Sequence, residues 1–224
     1  MKGDKLIIRE EHIKAARGIA KLLFPQNKKP KGTFILTIAG ESGSGKSEIA
    51  SALSKLLSNK SIKNIILQQD DYFVYPPKTN ASMRRKDIRH VGLGEVRLDL
   101  LDQNLATIMD GRIAIEKPLV IFDEDRITQE TVSLDGVSVV IVEGTYTTIL
   151  EHAQLRVFID RTYLDTKKIR GQRAREEQDE FLEEILKIEH RIISSHLPQA
   201  TIVVTHDYDV REIKRHRGAD KQNS

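Results

Sequence analysis

The apolar positions of this chain fall into two kinds of run that alternate. Phe34 to Ala39, Asn64 to Gln68, Ser138 to Val142, Leu155 to Ile159 and Thr201 to Thr205 are short and nearly continuous, as in strands buried on both faces. Between them apolar residues recur at helical spacing. Residues 10 to 24 place Ile13, Ala16, Ile19, Ala20 and Leu23 on one face, and Pro25 stops the helix. Ser47 to Ser58 does so with Ile49, Leu53, Leu56 and Leu57, and Glu95 to Asp110 with Leu98, Leu101, Leu105 and Ile108, ending at Gly111. Gln178 to Ser195 turns Phe181, Leu182, Ile185, Ile188 and Ile192 inward. Ile113 to Phe122 and Thr131 to Leu134 alternate and predict a small β-hairpin arm. Tyr72 to Gly94 shows no period, which for its length predicts disorder or a functional loop. Buried strands alternating with helices predict an α/β fold, a three-layer sandwich around a mainly parallel sheet.

The bulk numbers narrow the class. The chain has 224 residues, 39% hydrophobic and 31% charged, with a formal net charge of +3. That suits one domain with excursions, and the charge is too small to argue for nucleic acid or a membrane surface. There is no cysteine, which excludes disulfides and thiolate zinc sites. The seven histidines show no metal-binding spacing, and His190 and His196 are expected on a helix surface and at its end. Met1-Lys-Gly-Asp-Lys opens onto mixed charged and apolar residues without a signal-peptide core, and no apolar run approaches membrane-spanning length. The reading is a cytoplasmic protein, with homo-oligomer formation left open.

Gly40-Glu41-Ser42-Gly43-Ser44-Gly45-Lys46-Ser47 fits G-x-x-x-x-G-K-[ST], between a predicted strand and a predicted helix, which is the setting this phosphate-binding loop requires. Gly40, Gly43 and Gly45 allow a tight bend that aims backbone N–H groups, with those of Ser42 and Ser44, at phosphate oxygens. The helix start adds its positive dipole end. Lys46 would reach the β- and γ-phosphates and Ser47 would ligate Mg²⁺. The implied cofactors are ATP, with GTP as the alternative, and Mg²⁺.

Ligands of parallel sheets bind beyond the carboxyl ends of the strands. Asp70, Asp71, Glu143 and Asp160 all fall there. Transfer of a phosphoryl group to a hydroxyl needs a carboxylate to orient the nucleophile and take its proton, a role for one of Asp70 and Asp71, the other holding water around the metal. Glu143 is placed for Mg²⁺. Lys167, Lys168, Arg170, Arg173 and Arg175 form a basic segment that would close over the nucleotide as a lid, although most charge runs are solvated faces. Arg84, Arg85 and Arg89 read either as anion binders or as an exposed basic loop.

With these residues in hand, the chain resembles the uridine kinase and phosphoribulokinase group of P-loop kinases over about residues 33 to 205. Gln69-Asp70-Asp71-Tyr72-Phe73 is similar to the catalytic stretch of nicotinamide riboside kinases, Gln-Asp-Asp-Phe-Phe, which makes Asp70 the base. The pantothenate kinase pattern Asp-Gly-Phe-Leu-Tyr-Pro instead aligns with Asp71 to Pro76 and would promote Asp71. Val140-Ile-Val-Glu-Gly144 looks like the strand whose Glu helps hold Mg²⁺. Pro118 to Phe122 followed by Glu130-Thr131-Val132 looks like the hairpin over the substrate.

The resemblance implies a P-loop kinase domain over 33–210 with a lid at about 165–178. Residues 1–32 would be a helix and basic linker packed on it, and 211–224 a charged tail. It implies an ATP- and Mg²⁺-dependent kinase for a hydroxyl of a small molecule, with Asp71, Tyr72, Arg84 and Asp125 toward the substrate. Where the family has a base-stacking Tyr this chain has Val120, and Asp125 stands where a base-contacting His is expected. The family's Asp-His-Pro element is missing, with Gly92-Leu-Gly-Glu95 in its place. Uridine and cytidine are therefore expected to be poor substrates, and a sugar phosphate, pantothenate or glycerate is the alternative within kinases. The rival class is a nucleotide-binding regulatory protein, but the Asp-x-x-Gly and Asn-Lys-x-Asp of GTPase switches do not follow Ser47.

Overall fold

A computed structural model describes residues 6–23, 32–173 and 179–213. Among them the elements run α1 (Glu10–Leu23), β1 (Phe34–Gly40), α2 (Lys46–Ser58), β2 (Asn64–Gln68), α3 (Pro77–Lys86), α4 (Leu98–Met109), β3 (Ala114–Ile121), β4 (Arg126–Ser133), β5 (Val139–Gly144), β6 (Leu155–Ile159), α5 (Lys167–Arg173), α6 (Glu180–Ser195), β7 (Ile202–Val204) and β8 (Val210–Glu212). The main sheet has the order β2-β5-β1-β6-β7-β8. It is parallel through β7, and β8 closes the edge antiparallel. β3 and β4 form a separate antiparallel hairpin.

The period-two rule of strands divides the core. Leu36 and Ile38 of β1, Val139 and Ile141 of β5, and Val157 and Ile159 of β6 face α1 and α2, where they meet Ile19, Ile49 and Leu53. Ile35, Val140, Val142 and Phe158 face the opposite way, onto Tyr72, Leu101, Leu105 and Ile193. Both faces are covered, which is why the central strands read as continuous apolar runs. Burial on α6 falls on Leu182, Ile185, Leu186 and Ile193. Phe181, Ile188 and Ile192, expected inward, are only half-buried.

The structure departs from the sequence reading in the patternless stretch. Residues 72 to 94 contain α3 and two short 3₁₀ turns, Ile88–His90 and Leu93–Glu95. The strand β8 also takes Arg211 and Glu212 from the expected fraying tail. Gly18 in α1 marks the approach of β8, because a Cβ there would lie 2.5 Å from Cγ2 of Val210. Most of the basic linker and the chain beyond 213 lie outside the described residues.

Candidate active site

The strand order places the glycine loop after β1 at the middle of the sheet, with β5 on one side and β6 on the other. Gly43 and Gly45 have φ of +75° and +98°, in the left-handed region that side chains resist. Space forbids a side chain as well. A Cβ on Gly43 would sit 3.0 Å from Cγ of Arg170, and one on Gly45 would sit 3.1 Å from Nε2 of His12. α2 begins at Lys46 with no side-chain cap on Gly45, so its first-turn N–H groups suit an anion. The Ser44 hydroxyl is buried without a hydrogen-bond partner among the described residues. These features fit the phosphates of a nucleotide.

The carboxyl ends of β2 and β5 bring the acidic groups to the same place. Ser47 Oγ donates to Oε1 of Glu143 at 3.1 Å, and Nε2 of Gln68 donates to the same oxygen at 3.1 Å. Burial raises the Glu143 carboxyl above its ordinary value; the Asp70 carboxylate adds to this and Lys46 opposes it. A hydroxyl beside one carboxylate, with a second nearby, fits Mg²⁺, which binds through one or two carboxylates and keeps its other positions for water and phosphate. Among the described residues no group of three or more His, Cys, Asp or Glu side chains forms a metal cage on its own.

The folded protein holds the Glu143 proton more tightly than the unfolded chain does. Its contribution to stability is therefore full below the unfolded carboxylate range and is lost as pH rises through the raised folded value. Glu143→Gln is expected to raise the melting temperature of the nucleotide-free protein at neutral pH and to flatten its decline with rising pH. Thermal unfolding of both proteins across pH 5 to 8 checks this, and a lower melting temperature for the variant contradicts it.

Ser42, Gly43, Lys46, Ser47, Asp70 and Glu143 line one cavity of about 310 Å³. Lys46 Nζ donates to the Glu41 carbonyl at 3.0 Å. The start of the segment expected as a lid meets the glycine loop, with Thr166 Oγ1 donating to the Ser42 carbonyl at 2.9 Å. Arg170 is buried beside Gly43 and donates to Thr166 Oγ1 at 2.6 Å. Beyond Asp70 the cavity continues between α3, α6 and the turn joining β3 to β4, where Phe73, Arg84, Phe122 and Glu189 reach it.

Known proteins resemble this chain in sequence and in fold. The sequence profile of the Phosphoribulokinase / Uridine kinase family matches residues 35–177. The chain belongs to this family. It is 27% identical over 192 residues to a bifunctional alpha-galactosidase/sucrose kinase of Mediterraneibacter gnavus, covering 80% of this chain and 20% of that protein. It is 33% identical over 147 residues to a uridine kinase of Staphylococcus epidermidis, covering 60% of this chain and 62% of that one. The chain thus spans less than two thirds of each. Among solved structures, the phosphoribulokinase of Rhodobacter spheroides superposes with a TM-score of 0.60 at 14% identity, over 79% of this chain and 71% of that one, a likeness of fold.

In this member of the phosphoribulokinase/uridine kinase family, several residues expected at the substrate have other partners. Asp71 is buried, accepting from Lys117 Nζ at 2.7 Å and from the Val120 N–H at 3.1 Å, so it fastens the hairpin to the turn that carries Asp70. Tyr72 lies in the core with its hydroxyl bonded to Asn104 at 2.9 Å, and burial pushes its pKa up to about 12. Asp125, at the hairpin turn, accepts from the backbone N–H of Lys78 at 2.7 Å and from the Thr79 hydroxyl at 2.8 Å. It caps α3 from a distant part of the chain. Val120 is fully buried, while Phe73 and Phe122 line the cavity. Val120 and Asp125, two of the departures that argued against uridine, are thus not among the residues lining the cavity.

Asp160 is exposed at the end of β6 and is not among the lining residues. Arg84 lines the cavity but is held by carboxylates; Arg85 pairs with Asp179 and Arg89 with Asp87, each at 2.8 Å. Arg175 and the side chain of Arg173 lie outside the described residues. His196 follows the end of α6, as expected, whereas His190, expected on the helix surface, is half-buried and bonded through Nδ1 to Oε1 of Glu41 at 2.6 Å. Sequence reasoning missed Gln68, Glu41 and Glu189. For Glu189 a signal existed: it falls on the apolar stripe of Leu182, Ile185, Leu186 and Ile193, where a carboxylate needs a partner or a ligand.

The Asp125 cap yields a stability prediction. Asp125→Ala removes the acceptor from the first turn of α3 and is expected to cost about 0.5–2 kcal/mol, the range for a lost cap. Urea unfolding measures it, and an unchanged midpoint contradicts the capping role.

Proposed function

We propose that this protein transfers the γ-phosphoryl group of ATP, or of GTP, to a hydroxyl of a small molecule. The observation that carries the reading is the convergence of Lys46, Ser47, Asp70 and Glu143 on one cavity at the carboxyl end of the sheet. The glycine loop and Lys46 hold and neutralise the β- and γ-phosphates, and Arg170 stands at the edge of the loop to meet charge that spreads during transfer. Asp70 orients the acceptor hydroxyl and takes its proton as the new O–P bond forms and the bond from the γ-phosphorus to the β-phosphate oxygen breaks. Ser47 and Glu143 would hold Mg²⁺, which supplies charge neutralisation on the phosphates. Thr166 and Arg170, buried against the glycine loop, help limit water at the reacting atoms.

The test is release of ADP by the purified protein with ATP and Mg²⁺, with and without a panel of hydroxylated small molecules that includes uridine. Turnover stimulated by an acceptor, with a phosphorylated product, supports the reading. Nucleotide binding without acceptor-stimulated turnover by any member would instead favour a nucleotide-binding regulatory protein.

A further inference from the structure

The glycine loop carries an anion of its own. Glu41 is the one acidic residue between Gly40 and Ser47, in a loop whose other features suit a polyphosphate. Its side chain is 7% exposed, so water screens it poorly. Both carboxylate oxygens are held from outside the loop. Oε1 lies 2.6 Å from Nδ1 of His190 on α6, and Oε2 accepts the Tyr163 N–H at 2.6 Å. An ionised carboxylate only accepts hydrogen bonds, so Nδ1 carries the hydrogen between them. The His190 ring is set in turn against the Tyr163 ring, their centroids 5.7 Å apart.

The main chain of Glu41 belongs to the phosphate end of the cavity. Its carbonyl accepts from Lys46 Nζ at 3.0 Å and from the Ser44 N–H at 3.1 Å, and the next residue, Ser42, lines the cavity. Glu41 and His190 are not among the lining residues. The backbone of Glu41 thus helps shape the loop while its carboxylate is bonded off the cavity, onto α6. His190 also lies beyond residues 35–177, the stretch that the family profile matches.

The groups that suit a phosphate suit a carboxylate equally: an ammonium, a hydroxyl and the first-turn N–H groups of α2. A Glu41 side chain released from α6 would compete for them. Even if it stayed in place, it would keep a single backbone donor, and like charges repel strongly where water is scarce. Resting on the phosphotransferase reading, we infer that His190 is a positioning residue for nucleotide binding, which acts through Glu41 by keeping the loop's own carboxylate out of the phosphate site.

The experiment is calorimetric titration of the full chain with a non-hydrolysable ATP analogue and Mg²⁺, in two backgrounds. His190→Ala is expected to weaken binding by about tenfold or more, as for a lost hydrogen bond to a charged group. In a Glu41→Gln background the same change is expected to alter affinity little, because the competing charge is gone. His190→Asn, whose amide nitrogen stands where Nδ1 does, is expected to recover most of the loss. His190→Gln, whose amide reaches the place of Nε2 instead, is not.

Wild-type affinity in His190→Ala, or an equal loss in both backgrounds, overturns the inference, since a merely structural role would cost the same with or without the Glu41 charge. Should His190→Ala not fold, the Asn and Gln variants decide. Tighter binding by His190→Asn supports the inference, and equal binding by the two overturns it. No binding of the analogue by the wild-type protein would overturn the nucleotide reading itself, and the inference with it.

Discussion

Asp70→Asn is expected to lower kcat by about 10²–10⁴-fold, the usual cost of losing a general base, while ATP affinity changes little. The substitution keeps the side chain's size but leaves the acceptor proton without a destination. The neighbouring Asp71 makes the control informative. Its carboxylate is buried against the Lys117 ammonium, which also pairs with Glu130 at 2.7 Å. Breaking a buried pair typically costs about 3–5 kcal/mol, and the remaining Glu130 contact keeps the expected loss below that. Asp71→Asn should therefore appear first as a lower melting temperature, and Asp70→Asn as a lower kcat at unchanged stability. If Asp71→Asn cripples turnover at unchanged stability while Asp70→Asn is mild, the pantothenate-kinase alignment of this stretch is the correct one.

Lys46→Ala is the second large effect. The ammonium donates to the Glu41 carbonyl of the loop at 3.0 Å, and the residue is half-buried at the cavity wall. Its removal is expected to abolish measurable nucleotide turnover and to weaken nucleotide binding severely, with the circular dichroism spectrum retained. Titration with a fluorescent ATP analogue checks binding separately from catalysis. Wild-type affinity and rate in the variant would refute the assignment of the glycine loop.

Part of this architecture was legible because its cause is local. β1 and β5 are apolar along most of their length since helices cover both faces, and the loop after β1 carries its chemistry in consecutive residues. Lys46, Ser47, Asp70 and Glu143 could be gathered from sequence for the same reason: each lies at, or a few residues beyond, the carboxyl end of a strand of the parallel sheet.

α3 was illegible because only Asn80 among its residues is buried, so it has no apolar stripe to read. Its anchors are polar and distant, Asp125 at its start, and Glu95 and Glu189 on Arg84 near its end. β4 was seen only at its end because its burial alternates among polar side chains. Asp125 and Asp71 were placed at the substrate by the family resemblance, yet what each binds is settled by residues some 46 to 49 positions away.

One rung of α6 touches both halves of the cavity. Glu189 reaches Arg84 at the acceptor end, and the next residue, His190, gives its Nδ1 to Oε1 of Glu41 in the glycine loop at 2.6 Å. The other Glu41 oxygen accepts the Tyr163 N–H at 2.6 Å, just before the lid. The glycine loop, the segment that begins at Tyr163 and the α3 wall of the cavity are therefore joined through α6 as through a single lever. The expected consequence is reciprocal: the two ligands should each strengthen the other's hold by the same factor, since linkage between sites on one body runs both ways. Calorimetric titration of an acceptor, with and without a non-hydrolysable nucleotide, would give that factor, and His190→Ala would bring it toward one by unhooking the lever from the loop.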